Sequence, residues 1–165
     1  MSTYTELEYI ESTGTQYFDT GVGANATSIK YETKLYYPST TSDEFIWSSY
    51  NSGYGIGDLY NDSGLNKFSY YYGSNSSSAV SSPAYSTGTE YTIVSDQTLS
   101  SITTTINGTT TTISRSVSAK NANITLFRRG NTSQYPAKAR MYYMKIVEQQ
   151  MVQKLSLDRK SGSAG

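Results

Sequence analysis

Apolar and polar residues alternate with a period of two along most of this chain, the pattern of strands that bury one face. Ile29, Tyr31, Thr33, Leu35 and Tyr37 alternate with Lys30, Glu32 and Lys34, which predicts a long antiparallel strand with one wet face, ended by Pro38. Leu7 and Tyr9 alternate with Glu6 and Glu8, and Gln16, Phe18 and Thr20 with Tyr17 and Asp19, so 7–21 predicts two short strands around a Ser12-Thr13-Gly14 turn. Residues 44–49 hold Phe45, Ile46 and the only tryptophan, Trp47, and predict a core strand; 67–72 and 90–96 predict two more. Asn107-Gly108 lies between two Thr/Ile-rich runs, and this dipeptide supplies the positive φ angles of a type I′ hairpin turn. A further strand is expected over 124–129. The run 137–147 is apolar on both faces, which places it centrally in a sheet. Between these runs, 39–43 and 73–82 read as polar loops, and 61–66 and 120–123 as turns; Gln149-Gln150 turns the chain into 151–157. Gly53, Gly55 and Gly57 leave one strand face without side chains, so a close neighbour or a bulge is required there. No GxGxxG pattern, repeat or helix longer than about two turns is supported.

Composition narrows the picture. The 165 residues fit one domain, 1–165, with 158–165 as a polar tail. Only 36% of residues are hydrophobic while 17 are Tyr, a balance that suits thin sheets with aromatic boundaries. Charges cancel, 13 basic against 13 acidic, so a phosphate-tracking surface is not expected and nucleic acid is not an expected partner. Arg128 and Arg129 are adjacent, and on a strand they would point to opposite faces as solvated or ion-paired groups. With His 0 and Cys 0, triads built on histidine, cysteine nucleophiles, His-ligated zinc and disulfides are excluded. The N-terminal residues have no signal-peptide pattern and no run is long enough to span a bilayer, so action outside a cell would require lysis, assembly into a particle, or a longer parent chain.

The stretch LEYIESTGTQYFDTG at 7–21, together with Ile124 to Phe127, Arg128-Arg129-Gly130-Asn131 and the run 137–147, resembles concanavalin A-like lectin/glucanase domains, the laminin G and pentraxin-like jelly rolls, in versions common in gut bacterial and phage proteins. The resemblance implies an all-β, two-sheet antiparallel β-sandwich. It also implies a non-enzymatic carbohydrate-binding or adhesion module on a virion or extracellular surface, with a surface glycan or glycoprotein as partner. The alternative is a structural decoration or assembly protein whose contacts are mainly with virion or surface subunits. A diverged glycoside hydrolase comes third. Residues 158–165 resemble the approach to a final hairpin in such domains, and its lack would leave a sheet edge open.

Without His or Cys, a carboxylate pair is the remaining route to hydrolysis. The Glu-x-Asp-x-x-Glu run of glucanases in this superfamily is absent, and Glu6, Glu8 and Glu11 read as a solvated strand face, so no enzyme is expected. Calcium is the cofactor the resemblance implies, and Asp58, Asn61, Asp62 and Asn66 form the best oxygen-ligand cluster; the same residues are ordinary turn formers. For sugar binding, aromatic rings stack on C–H faces while amides and carboxylates meet hydroxyls, which selects Trp47, Tyr50, Asn51, Tyr54, Asp58 and Tyr60. The opposing expectation is that these rings cover the sandwich core or subunit contacts.

Overall fold

The computed structural model describes residues 9–24, 27–38, 43–51, 57–62, 67–72, 76–84, 86–116, 122–130 and 132–148. Two antiparallel six-stranded sheets are formed, with strands numbered in chain order. The first sheet runs β1 (Ile10–Thr13), β12 (Lys138–Glu148), β3 (Ser28–Tyr37), β8 (Thr89–Thr98), β9 (Ser101–Ile106), β10 (Thr109–Ser114). The second runs β2 (Phe18–Gly23), β11 (Asn123–Leu126), β4 (Glu44–Ser48), β5 (Asp58–Asp62), β6 (Lys67–Tyr72), β7 (Ser76–Ala84).

The alternation over 28–37 maps directly onto this frame. Ile29, Tyr31, Leu35 and Tyr37 enter the space between the sheets, while Lys30, Glu32 and Lys34 form the wet face. That face is laced by ion pairs, Lys30 to Glu32 at 2.8 Å and Lys34 to Glu90 at 2.7 Å, solvent-accessible contacts of small individual worth. The Asn-Gly hairpin forms as expected, with Thr109 opposite Ile106, Asn107 at φ 46° and Gly108 at φ 84°. β12 is paired on both sides, with β1 over 138–141 and with β3. The first strand falls later than expected: β1 takes in Ser12 and Thr13, which were expected in the turn, and the chain turns at Gly14 (φ 103°), while 7–8 lie outside the described residues; β1 lies beside β12 in one sheet and β2 beside β11 in the other.

Several expectations are corrected. The polar run 73–82, expected as a loop, overlaps β7, an edge strand held by backbone bonds to β6, where side-chain propensity has little say. β5 continues through 61 and 62, so Asn61 is a strand residue, fully buried, whose Oδ1 accepts the Glu44 amide at 2.7 Å. The strand expected over 124–129 ends at Leu126, because Phe127 takes φ 63° and turns the chain out of the sheet. The two arginines after it therefore lie in a loop.

One irregularity places the site. The register of β4 against β5 shifts between Phe45 and Trp47. This bulge sends both Ile46 and Trp47 into the core, while Phe45 faces the opposite surface with Tyr60. Trp47 stacks on Tyr31, centroids 4.8 Å apart, and its Nε1 donates to the Gly57 carbonyl at 3.1 Å. Close packing is met at Gly57, where a Cβ would lie 2.7 Å from Gln97 Oε1 and 2.8 Å from Ile102 Cδ1. Inside the sandwich, Tyr70 Oη donates to Ser95 Oγ at 2.8 Å and accepts from Thr104 Oγ1 at 3.0 Å.

Candidate functional site

The outward surface of the second sheet carries a transverse polar row. Asp19 of β2 stands opposite Thr125 of β11, and Thr125 opposite Ser48 of β4. Ser48 Oγ then donates to Asp58 Oδ2 on β5 at 2.6 Å. Register thus brings together residues more than a hundred positions apart. At one end of this row a hollow of about 220 Å³ is lined by Asp19, Tyr50, Asn51, Ala122, Asn123, Thr125 and Arg128.

Local chemistry fixes these groups. Asp19 Oδ1 accepts the Gly21 amide at 2.9 Å, and Asn123 Nδ2 donates to Asp19 Oδ2 at 3.4 Å. Thr125 Oγ1 donates to the Ser48 carbonyl at 3.0 Å. Arg128 anchors its Nε on the Gly130 carbonyl at 2.9 Å and lies 3.2 Å from the centre of the half-exposed Tyr17 ring. That geometry leaves the outer guanidinium nitrogens directed away from the anchor. Arg129 covers the Tyr50 ring at 3.9 Å and donates from Nη1 to Gln134 Oε1 at 2.9 Å.

Tyr50 is held from three sides. Its amide donates to Ser48 Oγ at 3.2 Å, Arg129 lies over its ring, and Gly130 abuts its backbone. Gly130 has φ 48°, and a Cβ there would lie 2.8 Å from the Tyr50 carbonyl carbon, so only glycine fits. Phe127 (φ 63°) and Tyr135 (φ 55°) also take left-handed backbone in the same connection, a concentration of strain found at functional loops.

Beneath lies Asp58, 1% exposed. Its Oδ1 accepts Ser49 N at 2.8 Å and Ser49 Oγ at 2.9 Å, and its Oδ2 accepts Ser48 Oγ. Burial pushes this carboxyl up to about 6, against the opposing pull of the serine hydrogen bonds and Arg129.

The residues selected from sequence thus divide. Tyr50 and Asn51 line the hollow. Trp47, expected at a binding surface, lies instead in the inter-sheet core, 0% exposed, because the β4 bulge turns it inward. Asp58 and Tyr60 are buried under the loop that follows β11, Tyr60 stacking on Phe45 at 5.3 Å and Tyr71 at 4.6 Å. Tyr54 and Asn66 fall outside the described residues, as does the side chain of Asp62. Asp58 and Asn61 leave opposite faces of β5, and the oxygens of Asp58 already accept three hydrogen bonds, so these two do not form one calcium cage. No group of three or more acidic residues that could hold a metal occurs among the described residues. Missed from the sequence were Asp19, Asn123 and Arg128. Asn123 read as a turn residue and Arg128 as a strand residue facing solvent.

A second, larger hollow of about 390 Å³ opens between the sheets, lined among others by Ile10, Phe18, Val22, Leu126, Met144 and Ile146. It is mainly apolar, with Thr20 and the hydroxyl-bearing Tyr9, Tyr142 and Tyr143 also on its wall.

No family model matches the chain, and no curated protein matches it. Solved structures do. Trypanosoma rangeli sialidase in complex with sialic acid is similar at TM-score 0.61 and 8% identity, over 88% of this chain and 27% of the sialidase chain. Domains LG4-5 of the mouse laminin alpha1 chain are similar at TM-score 0.61 and 12% identity, over 84% of this chain and 40% of theirs. Caenorhabditis elegans galectin LEC-6 is similar at TM-score 0.58 and 7% identity, over 88% of this chain and 99% of the galectin. The chain therefore spans about a quarter of the sialidase but nearly the whole galectin. Such likeness establishes the fold, a concanavalin A-like jelly roll.

Proposed function

We propose that this chain is a non-enzymatic, lectin-like module that binds a surface glycan in the hollow bounded by Asp19, Tyr50, Asn51, Asn123 and Arg128. The observation that carries this reading is the convergence of an anchored carboxylate, two amides, a guanidinium and a clamped aromatic ring on one small outward hollow. A sugar hydroxyl pair accepts from Arg128 or Asn123 and donates to Asp19, while its C–H groups contact the part of the Tyr50 ring that Arg129 leaves open. At about 220 Å³ the hollow is below the roughly 300–1,000 Å³ of pockets for larger ligands, which suits one ring of an oligosaccharide. Similarity of fold to a galectin and to laminin domains supports the same reading by analogy.

Binding is favoured over hydrolysis because Asp19 is the one acidic residue among the described lining residues, whereas glycosidases generally use two carboxylates across the scissile bond. Display on a phage particle or bacterial surface is our inference from the resemblance of 7–21 and of the 124–131 and 137–147 stretches to such proteins. A glycan array probed with the purified chain tests the proposal. Selective binding to a subset of sugars is expected. A blank array together with a stable symmetric oligomer would replace it with an assembly role, and sugar release abolished by Asp19→Asn would make it an enzyme.

A further inference from the structure

The costliest group near the hollow is one that does not line it. Asp58 buries a carboxylate beneath the site, where an apolar residue would serve the sheet at least as well. Its hydrogen bonds all go to the segment that carries Tyr50 and Asn51. Ser49 donates to it through both N and Oγ, and Ser48 through Oγ, which in turn accepts the Tyr50 amide. Ser48 also bonds the pocket wall, its carbonyl accepting Thr125 Oγ1. Asp58 is therefore the hub between the strand end of β4 and the loop above it.

Charged and titratable groups surround Asp58 on each packed element. Arg129, from the connection after β11, lies within electrostatic reach while it covers the Tyr50 ring. Arg115, after β10, lies within electrostatic reach of Asp58. Tyr71 of β6 is its cross-strand partner, and Tyr60 shares its face of β5.

Resting on the glycan-binding reading of the hollow, we propose that Asp58 is its positioning residue: as an anion it sets Ser48 to Asn51 and Arg129 in the receiving arrangement, and protonation reverses one of its hydrogen bonds and re-aims the segment, so binding weakens on acidification. The chemistry is one of donors and acceptors. A carboxylate accepts all three serine hydrogen bonds; once Oδ2 carries a proton it must donate to Ser48 Oγ. Ser48 Oγ then accepts from Asp58 and from the Tyr50 amide together, while its own hydrogen loses its acceptor. Arg129 loses the negative charge beside it. The carboxyl's displacement to about 6 puts this change in a mildly acidic range.

Amide NMR from pH 4.5 to 8, on the wild-type chain and on Asp58→Asn, tests this without any ligand. The Ser49 and Tyr50 amides of the wild type should titrate with a midpoint near 6. In Asp58→Asn both should stay constant. With an array-selected sugar, wild-type affinity at pH 5 should be about tenfold weaker than at pH 7.5, since only the ionised fraction is competent. Asp58→Asn should bind weakly at both pH values. Amides that ignore pH, or Asp58→Asn binding with wild-type affinity, would overturn the proposal. A blank array with titrating amides would count against the glycan reading alone.

Discussion

Gly130→Ala is the substitution that most sharply separates the clamp on Tyr50 from ordinary loop packing. Two effects act at this position. Gly130 has φ 48°, and a non-glycine residue in left-handed backbone costs about 1–2 kcal/mol. The new Cβ would also overlap the Tyr50 backbone, 2.8 Å from both its carbonyl carbon and its Cβ, and forced overpacking of this kind costs about 1–3 kcal/mol more. Gly108→Ala is the internal control, since Gly108 has φ 84° but nothing within 4 Å of its Cβ, so it carries the backbone cost alone. Urea unfolding at constant m should therefore show Gly130→Ala destabilised by about 2–5 kcal/mol and Gly108→Ala by about 1–2 kcal/mol. Glycan affinity should fall in the first and stay unchanged in the second, because a shift of Tyr50 beyond about 0.5 Å leaves the tolerance of a preorganised site. Equal destabilisation by the two substitutions, with binding intact in both, would refute the clamp.

Stability itself should respond to pH through Asp58. Its folded pKa, about 6, lies above the ordinary 3.8, so its contribution is fully present below 3.8 and is lost as pH rises through 6. Between pH 7 and pH 5 the wild type should gain on the order of 1 kcal/mol relative to Asp58→Asn, measured by urea unfolding of both; an equal or opposite change would contradict the burial argument. Trp47, the only tryptophan and 0% exposed, should resist acrylamide quenching in the native chain and become quenchable only on unfolding, with emission unmoved by sugar. Arg115 is buried with Nε and Nη1 lacking hydrogen-bond partners, and burial pushes its pKa down to about 10. Arg115→Met should be neutral or stabilising by about 1 kcal/mol in urea unfolding, whereas a loss above about 2 kcal/mol would show that its Tyr72 contact and its bond to the Thr98 carbonyl dominate.

The scaffold was legible wherever a period of two ran unbroken. The alternation of Ile29 to Tyr37, the Asn107-Gly108 turn and the doubly apolar 137–147 run each fixed a strand's position by burial or by backbone geometry. Edge pairing was not legible, because β7 is held through backbone groups that its Ser-rich sequence does not advertise. Trp47 was legible as a residue of a core strand but not as unavailable to a ligand, because the bulge between Phe45 and Trp47 that turns it inward leaves no trace in the sequence. Half of the hollow was legible, because Tyr50 and Asn51 follow a core strand in a turn. The other half was not: Asp19, Asn123 and Arg128 meet only through the β2, β11 and β4 registers, and Arg128 reaches the hollow because Phe127 adopts a backbone conformation that sequence pattern does not signal.

Titration calorimetry of an array-selected oligosaccharide into the wild type, Asn123→Ala and Arg128→Ala tests the central claim most directly. Each truncation removes hydrogen bonds to the bound sugar together with one internal bond, Arg128 Nε to the Gly130 carbonyl or Asn123 Nδ2 to Asp19 Oδ2, and bonds involving a charged partner are worth about 1.5–3 kcal/mol. Arg128→Ala should bind about tenfold to a hundredfold more weakly, and Asn123→Ala about tenfold more weakly, with both variants as stable as the wild type to within about 1 kcal/mol. Unchanged affinity in both would place the sugar elsewhere on the molecule and contradict the account.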